Sequence, residues 1–347
     1  MDYRPLGTTG LSVSAVCLGT MTFGSQNTQA EAHEQIEVAL DHGINFIDTA
    51  EMYPVTPVSP ETFGRTEEMI GAWIAQSGRR DKIVLASKVS GPARHFPLRG
   101  GNNSLDRRNI ELAIDDSLRR LQTDYLDLYQ LHWPDRGVPM FGGRGLQSLN
   151  DRADAAPLEE SISALKDLVK AGKIRAFGVS NETPWGVSEA LRLHRDKGLP
   201  RVASIQNAYN LLNRVFEMGL SEFALREGVG LLAYSPLAAG HLSGKYLGGV
   251  VPKGSRVDVA KQFTRYFTIN QQQAAARYIA VAQAFGLSPE QLALGFVYSR
   301  PFVTSSIIGA TSVEQLKIDI AASLTPIPEE ALTAINEVYN LYPDPCP

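Results

Sequence analysis

The stretch GINFIDTAEMYP, residues 43–54, changes character in its middle. Residues 44–47 are largely apolar and strand-forming. The chain then breaks into Asp48, Thr49, Ala50 and Glu51, with Tyr53 five positions beyond the aspartate. A carboxylate beside a core is costly unless it caps, pairs or is hydrogen-bonded. Asp48 therefore either closes a strand end or is held there for chemistry.

The same pattern recurs along the chain. Short apolar runs stand at residues 15–19, 45–50, 83–89, 125–132, 174–181, 202–210, 230–236 and 305–310. Their Val, Ile, Leu and Tyr content suits strands buried on both faces. Helix-spaced segments separate them, at 29–42, 66–76, 104–121, 158–171, 183–194, 216–227, 270–285 and 312–322. Gly43 reads as the stop of the first helix and Ser104 as the N-cap of the third. Eight strand–helix units are the grammar of a closed (β/α)8 TIM barrel, here one domain over residues 1–347. The competitor is an open doubly wound sheet. If that sheet bound a dinucleotide, its first turn would carry GxGxxG, and the chain has none. Residues 3–14 read as an N-terminal β-hairpin with a Thr-Gly turn, and 328–342 as an extra C-terminal helix. Long connections at 90–103, 134–156 and 237–268 follow strands, which places them at the mouth of a barrel.

Composition narrows the function. The 347 residues are 44% hydrophobic and carry a formal charge of −4, with no basic footprint for nucleic acid or a membrane surface. The two cysteines, Cys17 and Cys346, make neither a disulfide framework nor a structural zinc site by themselves. Cys17 reads as a core residue and Cys346 as part of a mobile end. With no apolar leader or membrane-length segment, the expected compartment is the cytoplasm.

Polar residues gather at the strand ends: Gly19-Thr20-Met21, Asp48, Lys88, His132, Ser180-Asn181, Gln206, and Tyr234-Ser235-Pro236-Leu237. In a barrel these converge on one mouth. A tyrosine phenol is a weak acid, with a pKa of about 10, and a nearby ammonium makes its proton easier to give. Lys88 supplies that charge for Tyr53, Asp48 balances Lys88, and His132 orients a carbonyl oxygen. A hydride must come from a nicotinamide cofactor, because no side chain supplies one.

The ordered set GTMTFG, GINFIDTAEMY, ASKVSG, DYLDLYQLHWP, GVSN, IQNAYN, YSPLAAGHLSGKY and IIGATSVEQL resembles the aldo-keto reductase superfamily. Within it the chain looks like the branch of Tas-like reductases and potassium-channel β subunits. The resemblance covers about residues 3–322. It implies NADPH-dependent reduction of an aldehyde or ketone, with Asp48, Tyr53, Lys88 and His132 as catalytic tetrad and Tyr53 as proton donor. It also implies cofactor contacts from Gly19, Thr20, Met21 and Asp48, and a carboxamide site at Ser180, Asn181 and Gln206. Tyr234 would stack on the nicotinamide, and Ser235, Pro236, Leu237 and Leu242 would cover the pyrophosphate. Lys245 and Arg256 would meet the phosphates. Gly309, Thr311 and Gln315 would meet the adenosine 2′-phosphate, and Asp319 the adenine. Two departures stand out. Asn is usual in place of Asp319, and an ionised Asp accepts but cannot donate. The segment 309–315 carries no cation, which leaves NADH as an alternative to NADPH/NADP+.

Trp133, beside Tyr53 and His132, reads either as packing or as a wall of the substrate pocket. The arginines of DRRN (106–109) and LRRL (118–121) read as solvated helix faces, and FGGRG (141–145) as an active-site lid. The expected partner is a small carbonyl compound, with the oligomeric state left open. A redox-sensing, NADPH-binding subunit with little turnover is the alternative function. A metal-dependent hydrolase is disfavoured, since the six histidines form no H-x-H or H-E-x-x-H.

Overall fold

The computed structural model describes residues 1–92, 98–101, 103–143, 152–261 and 264–347. β1 (Tyr3–Pro5) and β2 (Ser12–Ser14) form an antiparallel hairpin. Eight further strands follow: β3 (Val16–Gly19), β4 (Phe46–Asp48), β5 (Val84–Val89), β6 (Leu126–Leu131), β7 (Ile174–Ser180), β8 (Val202–Ala208), β9 (Gly230–Tyr234) and β10 (Val303–Ile308). They close into a parallel barrel in the order β10-β3-β4-β5-β6-β7-β8-β9.

Alternation along the strands divides the interior into two ends. Phe46, Val84, Ala86, Leu128, Leu232 and Ile307 pack inside the barrel with Leu6 and Val13 of the hairpin segment, which plug its N-terminal end. Two residues further along the same faces come Asp48, Lys88 and Gln130. The barrel is thus apolar at the bottom and polar at the top, where loops rather than a core receive the side chains. The alternate strand residues, such as Ile47, Leu85 and Tyr129, face outward and pack under the helices.

Seven helices follow the barrel strands as expected: α1 (Gln29–Asp41), α2 (Arg65–Ser77), α3 (Arg107–Leu121), α4 (Leu158–Lys170), α5 (Pro184–Lys197), α6 (Leu220–Glu227) and, after β10, α10 (Val313–Ser323). Thr28 and Glu31 start α1 with a reciprocal capping box. Gly43, at φ 80°, turns the chain out of α1 toward β4.

Several expectations are corrected. Between β9 and β10 lie not one helix but α7 (Arg256–Val259), α8 (Gln271–Ala284) and α9 (Pro289–Tyr298). α9 packs on β10 and α10, while α8 packs on the extra C-terminal helix α11 (Glu329–Leu341). α9 is apolar on nearly every face, so it has no helical stripe to read; its one signal is the Ser288/Gln291 capping box. Asp106, not Ser104, caps α3, and Ser104 instead donates to Asp135 at 2.7 Å. Arg120 leaves the solvated face and pairs with buried Glu67 at 2.7 Å. Cys346 is fully buried rather than mobile, its backbone N–H bonded to Leu212 O at 3.0 Å. Of the FGGRG segment, residues 144 and 145 lie outside the described residues, and Phe141 packs against Trp133. No described helix is long and apolar enough to cross a membrane.

Candidate active site at the barrel mouth

Asp48 ends β4, in register between Gly19 of β3 and Ala86 of β5. One turn of alternation on β5 places Lys88 in the barrel centre without solvent exposure. Its Nζ donates to Asp48 Oδ2 at 2.5 Å and to Thr49 O at 2.8 Å. The other carboxylate oxygen, Oδ1, accepts from Gln206 Nε2 at 2.9 Å and from Gln130 Nε2 at 3.1 Å. Gln206 Nε2 also reaches Gln130 Oε1 at 3.1 Å. The buried pair is therefore satisfied on both sides, as a buried charge requires. Burial disfavours the Lys88 ammonium, but the charge and hydrogen bond of Asp48, with Tyr53 and Cys17, together outweigh it and the pKa lies above the ordinary lysine value.

Tyr53, half-buried on the loop after β4, lies over this pair, its ring centroid 4.9 Å from Lys88 Nζ. Burial raises its phenol, and the charge and hydrogen bond of Lys88 pull the other way without fully cancelling it. The phenol thus holds its proton at neutral pH and has a cation in place for the moment it leaves. The His132 ring sits 5.9 Å from the Tyr53 ring, edge to face. Burial, then Lys88, push its pKa well below the ordinary histidine value, so the imidazole is neutral at pH 7. Its Nδ1 is buried without a hydrogen-bond partner among the described residues. Trp133 packs 4.8 Å from His132, and its Nε1 donates to Pro92 O at 3.0 Å. Gly91 makes this approach possible, since a Cβ there would lie 2.5 Å from Trp133 Cδ1.

The remaining sequence candidates fall around this centre in three groups. Ser180 Oγ donates to Gln206 O at 2.7 Å, and Asn181 Nδ2 to His132 O at 2.9 Å. Tyr234 donates its hydroxyl to Asn181 Oδ1 at 2.7 Å. Asn181 and Ser235 hold φ values of 52° and 55°, an uncommon conformation for non-glycine residues that bends the chain sharply at the ends of β7 and β9. In the second group Thr20 spends its hydroxyl on Asp48 O at 2.8 Å, and Met21 Sδ receives Arg256 Nη1 at 3.3 Å. Gly309 stands against Gly19, where a Cβ would lie 3.5 Å from Gly19 O. In the third group Thr311 N and Oγ1 donate to Gln315 Oε1, at 3.0 and 3.2 Å, at the Ser312-capped start of α10. Asp319 is buried on α10, with Lys245 among its charged neighbours. Pro236 and Leu242 are buried in the turn after β9, and Leu237 packs partly buried beside them.

Asp319 corrects the sequence reading. Burial, reinforced by Glu290 and opposed by Lys245, pushes its carboxyl up to about 7. Near neutral pH it is part protonated and able to donate, so the functional difference from Asn is smaller than an ionised Asp implies.

Gln130 was not singled out in the sequence. The signal was present: it stands two residues before His132, on the same strand face. Arg265 and Tyr266, inside the long connection after β9, had no signal of their own. Arg265 Nη1 donates to the Tyr234 hydroxyl at 2.9 Å, and Asn210 Nδ2 to the Tyr266 hydroxyl at 3.2 Å. The cleft of about 310 Å³ beside Phe141 and Arg265 contains none of Asp48, Tyr53, Lys88 or His132 in its lining.

A closed barrel of eight parallel strands, with a buried ion pair, a phenol and a neutral imidazole at its C-terminal mouth, defines a TIM-barrel protein with a candidate site for proton transfer. The chain belongs to the aldo/keto reductase family: the family model of that description matches residues 15–340. It is 49% identical over 349 residues to Protein tas of Escherichia coli, covering 100% of both chains. It is 33% identical to the uncharacterized oxidoreductase YrpG of Bacillus subtilis, over 98% of this chain and 96% of the relative. A probable voltage-gated potassium channel subunit beta of Arabidopsis thaliana is 30% identical over 94% of each. The protein is an oxidoreductase of this family.

Proposed function

We propose that the chain reduces an aldehyde or ketone to the alcohol with NADPH, acting as a single catalytic domain in the cytoplasm. The observation that carries this reading is the Lys88–Asp48 pair, buried beneath Tyr53 and beside a neutral His132. The donor set suits a nicotinamide cofactor. Gln206 commits its Nε2 to Asp48 and Gln130, which leaves its Oε1 to accept from a carboxamide. The start of α10 offers an anion backbone N–H groups and a favourable dipole, and Lys245 and Arg256 add charge. The bound cofactor supplies the hydride that reaches the carbonyl carbon.

The chain's own groups manage the oxygen. His132, neutral, donates a hydrogen bond that orients the carbonyl, and Tyr53 hands its proton to the oxygen as negative charge grows there. Lys88 stabilises the phenolate left behind. Asp48 keeps Lys88 protonated, with Gln130 and Gln206 holding Asp48 in place. The aspartate neither gives nor takes a proton. Trp133 walls the substrate side.

Tyr53→Phe removes the proton and keeps the shape. Turnover should fall by roughly 10²–10⁴-fold, a typical general-acid contribution. Affinity for NADPH, followed by fluorescence quenching, should stay within about threefold. Retained turnover would remove Tyr53 from this role. A parallel titration with NADH reads cofactor choice. A single slow turnover of bound cofactor, instead of steady turnover on a carbonyl panel, would favour a sensing subunit.

A further inference from the structure

The side chains at the mouth close into a ring of contacts. Tyr53 meets His132 at 5.9 Å, His132 meets Trp133 at 4.8 Å, and Trp133 meets Phe141 at 5.9 Å between ring centroids. The Arg265 guanidinium carbon lies 5.6 Å from the Phe141 ring and 5.7 Å from the Tyr234 ring. Tyr234 then bonds Asn181 at 2.7 Å, and Asn181 returns to His132 O at 2.9 Å. One cation stands in this otherwise neutral circuit, opposite the phenol and imidazole.

The partners of that cation are unusual. Three other partly buried guanidiniums meet carboxylates: Arg99 meets Glu51, Arg136 meets Glu182 and Arg152 meets Asp135. Arg265 is half-buried, yet its contacts among the described residues are phenols and ring faces, with no carboxylate. A guanidinium keeps its charge at any ordinary pH and has five donors in a planar fork. Tyr234 and Tyr266 use only part of that set. Arg265 and Phe141 also line the cleft of about 310 Å³, together with Thr264, Ile269, Asn270 and Asp344; the Asp344 carboxylate is already held by Arg214 N and the Tyr339 hydroxyl. The site thus offers a mixed polar and apolar cleft, with a guanidinium fork on its rim that no carboxylate among the described residues pairs with.

Resting on the carbonyl-reductase reading, we propose that Arg265 selects carbonyl substrates that carry a carboxylate at a distance from the reacting carbon. The carboxylate takes the fork bidentately, as guanidinium geometry favours, while the carbonyl end lies at Tyr53 and His132. The binding energy is specific to charge, so an uncharged ester of the same length loses it.

The test compares kcat/KM for a series of ω-oxo acids and their methyl esters, whose carbonyl reactivity is the same. The expected wild-type preference for the acid is about 10- to 100-fold, carried mainly by KM and falling as salt rises. In Arg265→Leu the acid-to-ester ratio should collapse toward about one, whatever loss the two share, and Arg265→Lys should restore part of it. Simple alkanoic acids should compete with substrate in the wild type where the matching amides do not, a readout independent of any variant's folding. A wild-type ratio near one, or an Arg265→Leu effect confined to NADPH affinity, overturns the inference while carbonyl reduction stands. No steady turnover of any acid, ester or neutral aldehyde overturns both.

Discussion

Lys88 gives up all contact with water and keeps its charge because Asp48 lies 2.5 Å away and is itself held by two glutamine amides. Its raised pKa means that this contribution to stability is complete at neutral pH and is lost only as pH climbs through the folded value, above the ordinary lysine range. Asp319 is the contrasting case. Burial outweighs its nearest cation, and its carboxyl moves from 3.8 to about 7. Between about pH 4 and pH 7 the folded chain holds a proton that the unfolded chain has released, so stability falls as pH rises through that window. Asp319→Asn should flatten this fall. Urea midpoints at pH 5 and pH 8 should differ less in the variant than in the wild type. An unchanged difference would show that Asp319 ionises freely in the fold.

The polar network at the mouth depends on how neighbouring strands share space. Gln130 of β6 reaches Asp48 of β4 past β5, and Gln206 of β8 reaches Gln130 past β7, where Gly178 carries no side chain. A Cβ at Gly178 would lie 2.7 Å from Ser204 Oγ and 3.4 Å from Gln130 Cγ. The close approach to Ser204 means that Gly178→Ala should cost about 1–3 kcal/mol, as overpacking does. Adding Ser204→Gly should recover much of the loss in a denaturant titration; equal stability of the single variant and wild type would contradict this packing. Elements were legible to different degrees for physical reasons. Amphipathic α3 shows its stripe in the sequence. α9 is buried all round and shows none, and its place under β10 is set by tertiary packing. The role of Gln130 was readable from strand alternation, but its bond to Asp48, two strands away, is set by the closing of the barrel.

Across the whole molecule the two ends of the chain are tied into the barrel. The hairpin segment sends Leu6 and Val13 into its lower core. The last residues run back over the loop after β8, where Cys346 is buried and its sulfur lies 3.6 Å from Thr268 Oγ1. Cys17 is buried between β4 and β10, and desolvation pushes its thiol well above the usual range. Both thiols are buried, and Cys17 is also held protonated, so neither is placed to react. Native protein should show no reaction with a disulfide reagent such as DTNB over minutes, and two thiols once denatured. Rapid labelling of one thiol in native protein would mean that the C-terminal segment leaves its seat.

The spacing of apolar runs, and the polar residues that end them, determined the barrel, the hairpin, the C-terminal helix and the set Asp48, Tyr53, Lys88 and His132. These are local signals, because strand alternation and strand–helix order follow from neighbours in the chain. The tertiary structure decided the rest. It placed Gln130 on Asp48, set the Asp319 carboxyl near 7, buried Cys346, and brought Arg265 to Tyr234 and Phe141. Each of these depends on desolvation or on contacts between residues far apart in sequence. Such terms arise only when the closed barrel sets which groups lose water and which partners they meet.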